Sequence, residues 1–224
     1  MIIIGHRGAR GLAPENTVAG LLKAVQHNVD LVELDLRVTS DGVVVLHHNR
    51  AMIDRAGNKL VIAEHPFKAL KDHKADLATF EQAAESINRK VPILIEIKPK
   101  VDTAPIVKAI KVLLNKGWQP QDLLLASRDY RILLRLHVAL PALQTGVIER
   151  WSGVRGTWRA RRLGTRRLYM NRLWLWRGFI VSMRRRGWEL YPYTLNNPAQ
   201  ARRWARFGIA GIITDYPDRF ETKK

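Results

Sequence analysis

The sequence of 224 residues contains no cysteine, which excludes disulfide bonds and thiolate metal ligands. No apolar run approaches ~18 residues, so we expect no membrane-spanning helix. The apolar start, residues 2–4, is too short for the core of a signal peptide. These absences predict a cytoplasmic protein. A hydrophobic content of 46% suffices for one sizeable core, and we expect a single domain over residues 1–224.

Acidic residues are scarce. The chain has 38 Lys and Arg against 20 Asp and Glu, which gives a net charge of +18. The scarcity is greatest in residues 150–188, where no acidic residue occurs among twelve arginines. Tryptophans 151, 158, 174 and 176 are interleaved with those arginines. We call residues 150–188 the Arg/Trp-rich segment.

The Arg/Trp-rich segment has three interpretations. It is a solvated basic surface in which tryptophans pack between arginine stems, or a patch that contacts an anionic membrane surface. The membrane interpretation would make the protein peripheral at a membrane. The third interpretation is nucleic-acid binding, which the composition permits, but the segment contains no nucleic-acid-binding motif. We therefore do not expect a nucleic-acid partner.

Residues 32–49 predict a β-hairpin rich in ionisable groups. Asp41-Gly42, between two alternating apolar runs, is typical of a two-residue hairpin turn. That turn places His48 opposite Asp35, and the side-chain period of two puts Glu33 on the same face. His47 is predicted to face away from this group. Two carboxylates and an imidazole should therefore converge on one side of the hairpin.

The acids of this hairpin interrupt an otherwise apolar strand. Residues 31–36 have the apolar content of a strand that is buried on both faces, apart from Glu33 and Asp35. Buried carboxylates need a cation or hydrogen-bond donors. A hard divalent cation that takes oxygen ligands, Mg²⁺ or Ca²⁺, fits this pair of acids.

The periodicity along the chain predicts eight main strands with helices or crossovers between them. They begin near residues 2, 31, 92, 122, 143, 168, 189 and 211. This pattern indicates an α/β fold, a TIM-type (β/α)8 barrel with a β-hairpin after strand 2 that returns to the barrel mouth. We expect residues 49–78 to form an irregular loop with a turn at 54–58 and one helical turn at 66–71, and we expect Asn16 to cap the first helix.

Chemistry in such a barrel lies at the C-terminal ends of the strands. His6 and Arg7 follow the first strand, and Glu96 and Lys98 lie at the end of the third. The predicted hairpin returns His48 to the same end. The sequence therefore predicts a site at the barrel mouth.

These residues resemble the glycerophosphodiester phosphodiesterase family over nearly the whole chain. The similar motifs are H-R-G at 6–8, P-E-N-T at 14–17, E-x-D at 33–35, T-x-D-G at 39–42, E-I-K at 96–98, and two late motifs at 193–196 and 211–215. The resemblance implies a phosphodiesterase that uses a divalent cation to release glycerol 3-phosphate and an alcohol from a small glycerophosphodiester.

The resemblance also implies roles for individual residues. Three acids would hold the metal ion, two histidines would form the acid–base pair, and three further side chains would bind the substrate. The metal ligands are Glu33, Asp35 and Glu96; the acid–base pair is His6 and His48; Arg7 and Lys98 contact the phosphate, and Tyr193 forms a wall for the glycerol. Glu15, Asn16 and Asn49 are expected to support the site. Asn49 stands where the family usually has Asp, and Tyr193 where Trp is commoner.

Two other functions remain open. The same family includes lysophospholipase D activity, which would suit a membrane-surface patch and requires an apolar groove. A non-catalytic barrel that binds lipid or polyanions would also account for the basic segment and for Asn49. The sequence predicts no oligomeric state.

Overall fold

Eight parallel strands close into a barrel. In this computed structural model, which describes residues 1–54 and 56–221, the first strand pairs with both the second and the last strand of the chain. The barrel strands are β1 (Ile2–Gly5), β2 (Leu31–Val38), β6 (Ile93–Ile97), β7 (Leu123–Ser127), β8 (Thr145–Glu149), β9 (Arg167–Asn171), β10 (Glu189–Tyr193) and β11 (Gly211–Thr214). The predicted (β/α)8 barrel is confirmed, and each strand begins within two residues of its predicted start.

Helices connect most of these strands, and three short strands lie outside the barrel. The helices are α1 (Val18–Gln26), α2 (Phe67–His73), α3 (Phe80–Ile87), α4 (Ala104–Asn115), α5 (Tyr130–Ala139), α6 (Gly153–Arg162), α7 (Arg177–Arg185) and α8 (Pro198–Ala205). The short strands are β3 (Val44–Leu46), which pairs antiparallel with β2, and the hairpin β4 (Ala51–Ile53) and β5 (Lys59–Val61). Among the described residues, none of the helices combines the length and apolar character needed to cross a bilayer.

Side chains inside the barrel change from apolar to polar toward the mouth. Along each strand alternate residues point inward, and those in the lower barrel form an apolar cluster that includes Ile4, Leu94 and Ile213. The next inward positions toward the C-terminal ends are His6 after β1, Glu96 in β6 and Asp215 after β11. The apolar layer therefore forms the floor beneath a ring of ionisable groups.

The predicted hairpin turn is wrong by one residue. Val38 pairs with Val44, and the backbone N–H groups of Thr39 and Gly42 close a three-residue loop at 40–42. Only Gly42 of this loop has a positive φ, 81°, so the loop is not the predicted two-residue turn, in which both central residues need positive φ. The shifted register puts His47, whose N–H donates to the Asp35 carbonyl, opposite Asp35 in place of His48.

Residues 49–78 are more regular than predicted. They contain the β4–β5 hairpin, a 3₁₀ turn at Ile62–Glu64 and α2. The predicted turn at 54–58 is present, although Arg55 within it lies outside the described residues. Strands of three residues are too short to show a side-chain period, which is why the sequence pattern did not indicate them.

The predicted cap of the first helix is also wrong. The N-cap of α1 is Thr17, whose Oγ1 accepts a hydrogen bond from the Gly20 N–H at 3.1 Å. Asn16 has a left-handed backbone, φ 56°, and its side chain turns away from the helix toward β2. Asn16 is therefore available to the site.

Candidate active site

A cavity of about 300 Å³ opens at the C-terminal ends of the barrel strands. Seven of the predicted site residues line it: His6, Arg7, Glu33, His48, Glu96, Lys98 and Tyr193. Asp35 lies directly behind them and is fully buried. The structure thus brings together the two histidines, the three acids, the two cations and the tyrosine predicted to form the site.

Three carboxylates form an acidic cluster in the wall of this cavity. Glu33 and Asp35 lie on β2, and Glu96 lies beside Asp35 in the parallel register of β2 and β6. One oxygen from each of the three lies within 4.8 Å of the others. All three are largely withdrawn from solvent, and hard cations prefer such clusters of carboxylate oxygens.

Two cations lie against these acids. Lys98 is buried, and its Nζ is 2.6 Å from Asp35 Oδ1 and 2.6 Å from Glu96 Oε1. Arg7 donates its backbone N–H to Glu33 at 2.7 Å, and its Nε lies 3.2 Å from Asp35 Oδ2. In this structure the two predicted phosphate ligands therefore balance the charge of the acids.

The local charges separate the pKa values of the acids. Burial, followed by repulsion from Asp35 and Glu96, raises the pKa of Glu33 well above its ordinary value. Burial also raises the pKa of Glu96. For Asp35 the effect of burial is outweighed by attraction to Lys98 and Arg7, which lowers its pKa to about 2. Asp35 is therefore the acid of the cluster that holds a proton least readily, and Glu33 is the acid most prone to hold a proton.

Glu15 and Asn16, both in the loop between β1 and α1, position the charged groups. Asn16 donates from Nδ2 to Asp35 Oδ2 at 2.8 Å and accepts from the Asp35 backbone N–H at 3.0 Å. Glu15 accepts two hydrogen bonds of 2.9 Å from Arg7 Nη1. These contacts fix the orientation of Asp35 and of the Arg7 guanidinium.

His6 has a partner that the sequence interpretation missed. Its Nδ1 lies 2.6 Å from Oδ1 of Asp215, which follows β11. Asn196 donates to the other Asp215 oxygen at 2.9 Å. Burial alone would raise the pKa of Asp215, but the hydrogen bonds from His6 and Asn196 hold it below its usual value. The ionised carboxylate fixes the His6 ring with Nδ1 toward Asp215.

Closure of the barrel could have indicated this pair. Asp215 follows β11, which lies beside β1, so the rule that site residues lie at strand ends applies to Asp215 as it does to His6. The same rule applies to Arg128 after β7 and Arg150 after β8, which line the cavity together with Arg10. These arginines make the mouth more basic than the predicted residue set implied.

His48 has a different partner. Its Nδ1 lies 2.8 Å from Oδ1 of Asn49, and Arg37 Nη2 donates to its carbonyl at 2.9 Å. Burial and, to a smaller extent, repulsion from Lys98 lower the pKa of His48 to about 4. Attraction to Asp35 opposes this shift but is weaker. The two imidazoles of the site therefore differ, because His6 is hydrogen-bonded to a carboxylate and His48 to an amide.

Asn49→Asp should raise the pKa of His48, by roughly one to two pH units, because a carboxylate at this distance stabilises the imidazolium. A titration of the histidine ring resonances by NMR measures it, with the His48 signal assigned by its loss in His48→Gln. The exposed Asn88→Asp adds the same charge away from the cavity and serves as the control. An unchanged His48 pKa in Asn49→Asp would show that residue 49 does not contact the ring in solution.

Tyr193 forms part of the cavity wall. Its hydroxyl donates to the Glu149 carbonyl at 3.3 Å, and burial raises its pKa to about 12. The ring is therefore neutral and held across the mouth between β10 and β8. A neutral aromatic wall suits the carbon skeleton of a polyol.

The sequence matches the model of the glycerophosphoryl diester phosphodiesterase family over residues 6–219. The chain belongs to this family. The protein YhdW of Bacillus subtilis is 30% identical over 234 residues, which cover 97% of this chain and 96% of YhdW. A glycerophosphodiester phosphodiesterase of the same organism is 26% identical over 259 residues, covering 100% of this chain and 86% of that enzyme.

A solved structure of another protein has the same fold. The Oleispira antarctica phosphodiesterase, determined in complex with the product sn-glycerol-3-phosphate, superposes with a TM-score of 0.85 at 23% identity. The match covers 98% of this chain and 94% of that enzyme. The family motifs implied a barrel with its acids, histidines and basic side chains at the mouth. This member of the glycerophosphoryl diester phosphodiesterase family has that arrangement.

Proposed function

We propose that the protein hydrolyses glycerophosphodiesters to glycerol 3-phosphate and an alcohol, with a divalent cation and two histidines. The observation that carries this proposal is the acidic cluster Glu33, Asp35 and Glu96 in one cavity with His6 and His48. The acids suit a hard cation, and the imidazoles suit the acceptance and donation of protons. Family membership supplies the substrate class.

One observation supports Mg²⁺ or Ca²⁺ binding by Glu33, Asp35 and Glu96. Asp35 Oδ1 and Glu96 Oε1 are buried oxygens that accept no well-aligned hydrogen bond from the described residues, although the Lys98 ammonium lies near both. Two buried oxygens without aligned donors, beside a third carboxylate, form a donor set for a hard cation. Such a cation, when bound, polarises a phosphoryl oxygen and offsets its charge.

The environments of the two histidines favour different roles. A lowered pKa keeps His48 neutral at neutral pH, so His48 can accept the proton of the attacking hydroxyl. Asp215 fixes the orientation of His6, which can donate a proton to the departing alkoxide. The attacking hydroxyl is either water or the substrate's own glycerol hydroxyl, and the same pair serves both routes. Arg7 and Lys98 offset phosphate charge, and Tyr193 packs against the glycerol.

Initial rates on a panel of diesters test this proposal. Protein freed of metal with a chelator should not hydrolyse glycerophosphocholine or glycerophosphoethanolamine, and Mg²⁺ or Ca²⁺ should restore hydrolysis. Glu96→Gln should require more cation than the wild type, whereas Glu64→Gln, at an exposed position, should not. Wild-type protein inactive on every diester with either cation would contradict the proposal and favour a non-catalytic barrel.

Glu33→Gln should make the metal-free protein more stable, by about 1–2 kcal/mol or roughly 2–8 °C in melting temperature. Because the folded pKa of Glu33 is raised, the wild type loses stability as the pH rises above the unfolded value near 4.5. The amide removes that loss and can still accept the Arg7 N–H. The advantage of Glu33→Gln should therefore grow with pH.

Thermal unfolding at several pH values, with and without Mg²⁺ or Ca²⁺, measures this difference. The wild type should gain melting temperature on adding cation, and Glu33→Gln should gain less. Glu64→Gln is again the control. Glu33→Gln melting below the wild type at every pH would mean that Glu33 is a stabilising, ionised group in the metal-free site.

A lysophospholipase D is the second candidate function. The observation that favours it is the group of exposed apolar side chains in the loops beside the cavity, which include Trp151, Leu173 and Trp176. An acyl chain of a lysophospholipid could lie across these side chains while its phosphate enters the cavity. The ratio of turnover for a lysophospholipid and its deacylated diester separates the two candidates, since only a lysophospholipase D prefers the acylated substrate.

A further inference from the structure

The loops after β8 and β9, each counted with the first turn of the helix that follows it, expose five large apolar side chains. Trp151 and Val154 follow β8 and are 59% and 82% exposed. Leu173, Trp174 and Trp176 follow β9 and are 73%, 48% and 63% exposed. We call these five residues the apolar rim. Single exposed apolar residues are ordinary on a protein surface, but five in two neighbouring loops form a patch that indicates a binding surface.

The two loops of the apolar rim are joined and lie at the cavity. Trp174 donates from its indole Nε1 to the Arg150 carbonyl at 2.8 Å, which links the loop after β9 to the loop after β8. Arg150 itself lines the cavity, as does Asn171 at the end of β9. Both loops leave the C-terminal ends of neighbouring barrel strands. The apolar rim therefore borders one side of the cavity entrance.

The charge around the apolar rim has a single sign. Arg150, Arg172 and Arg177 are exposed within the same loops, and the Arg150 guanidinium lies 4.8 Å over the ring of Trp151. No acidic residue occurs between Glu149 and Glu189, and the Glu149 carboxylate is buried against Arg155. The partner of these two loops should therefore be anionic.

We propose that the apolar rim and its arginines dock the protein on an anionic lipid bilayer, with the cavity entrance facing the lipid. Tryptophan and arginine together favour the interface between headgroups and acyl chains. Val154 and Leu173 give a nucleic acid no stacking surface, but both can enter the acyl boundary. A second copy of the chain would present the same positive charges, which oppose a symmetric dimer through this surface.

Lipid composition should control the docking. Each arginine near an anionic surface strengthens binding, and this contribution weakens as the salt concentration rises. The proposal depends on exposure and charge and not on the catalytic residues, so the protein should bind bilayers even if it hydrolysed no diester. Docking would bring a lipid-derived substrate to the cavity entrance without the protein leaving the membrane.

Co-sedimentation of the full chain with vesicles tests the proposal. The protein should bind vesicles of equal parts phosphatidylcholine and phosphatidylglycerol and bind pure phosphatidylcholine far more weakly. Trp151→Ser with Trp176→Ser should weaken binding at least about tenfold. Val138→Ser, an 80% exposed apolar position on α5, is the matched control and should bind like the wild type.

A second variant tests the proposal independently in case the tryptophan variant does not fold. Val154→Asp with Leu173→Asp changes two side chains with little packing, and it should abolish binding by placing carboxylates against the anionic surface. Both variants should keep wild-type circular dichroism and wild-type thermal unfolding. Equal binding to both kinds of vesicle, or binding unchanged in both variants, would overturn the proposal. Tighter binding to single-stranded RNA than to the anionic vesicles, with the same tryptophan dependence, would also overturn it.

Discussion

His6→Ala is expected to lower kcat for glycerophosphodiester hydrolysis by about 10²–10⁴-fold, the usual contribution of a positioned acid or base. The alanine removes the proton donor and leaves the acidic cluster in place, so binding of divalent cations should change little. Steady-state rates measure the first expectation and metal titration by calorimetry the second. His73→Ala, at an exposed histidine on α2, should keep wild-type rates.

Asp215→Asn tests how His6 is held. Asp215 accepts from His6 and from Asn196, and an amide in its place can present a donor to His6 Nδ1 and favour the other tautomer. We expect a loss of kcat between those of His73→Ala and His6→Ala, with KM nearly unchanged. An active His6→Ala, or an Asp215→Asn variant with wild-type rates at every pH, would contradict the assigned roles.

Lys98→Met should destabilise the metal-free protein by about 3–5 kcal/mol, because it leaves Asp35 and Glu96 buried without their cation. For a chain of this size the loss corresponds to roughly 6–20 °C in melting temperature. Methionine has a similar length, so the loss of charge dominates over the loss of packing. The difference from the wild type should shrink at low pH, where the two acids can take up protons.

Divalent cation should partly restore the stability of Lys98→Met, because it supplies the missing positive charge to the same oxygens. Thermal unfolding with and without Mg²⁺ or Ca²⁺ measures both effects. Lys90→Met, at an exposed position after α3, is the matched control. If Lys98→Met melted within a degree of the wild type, the buried ion pairs of Lys98 would not hold the acids in solution.

The sequence predicted the barrel well because its strands are buried on both faces. Strands β6, β7 and β8 are short apolar runs bounded by turns or charges, and such runs mark parallel strands directly. The inward positions at their ends carry ionisable groups, so residues such as Glu96 and Lys98 were identifiable from spacing and position. Family motifs added the histidines and their roles.

Side-chain pairing was harder to predict because it depends on contacts that are remote in sequence. His6 and Asp215 are 209 positions apart, and only the closed barrel brings them to 2.6 Å. The hairpin register was wrong by one residue because Asp-Gly also suits a three-residue loop with the glycine alone in the left-handed region. Asn16 was predicted as a helix cap, since sequence does not distinguish it from the adjacent Thr17.

The close contact of Lys98 with two of the acids was not predicted either. A lysine two residues after Glu96 on one strand face could reach a phosphate in the cavity or turn to the neighbouring strand. In the metal-free site the lysine turns to the acids, because leaving two buried carboxylates without a positive charge costs more free energy than withdrawing one lysine from the cavity. Its role as a phosphate ligand remains a prediction for the loaded enzyme.

The identity of the phosphate product tests the central claim most directly. ³¹P NMR of a reaction of the wild-type protein with glycerophosphocholine and Mg²⁺ or Ca²⁺ follows substrate and product in one sample. We predict that the diester signal is replaced by that of glycerol 3-phosphate, and that chelator or His6→Ala prevents the change. Formation of phosphocholine in its place, or a diester signal that persists with both cations, would contradict the proposed function.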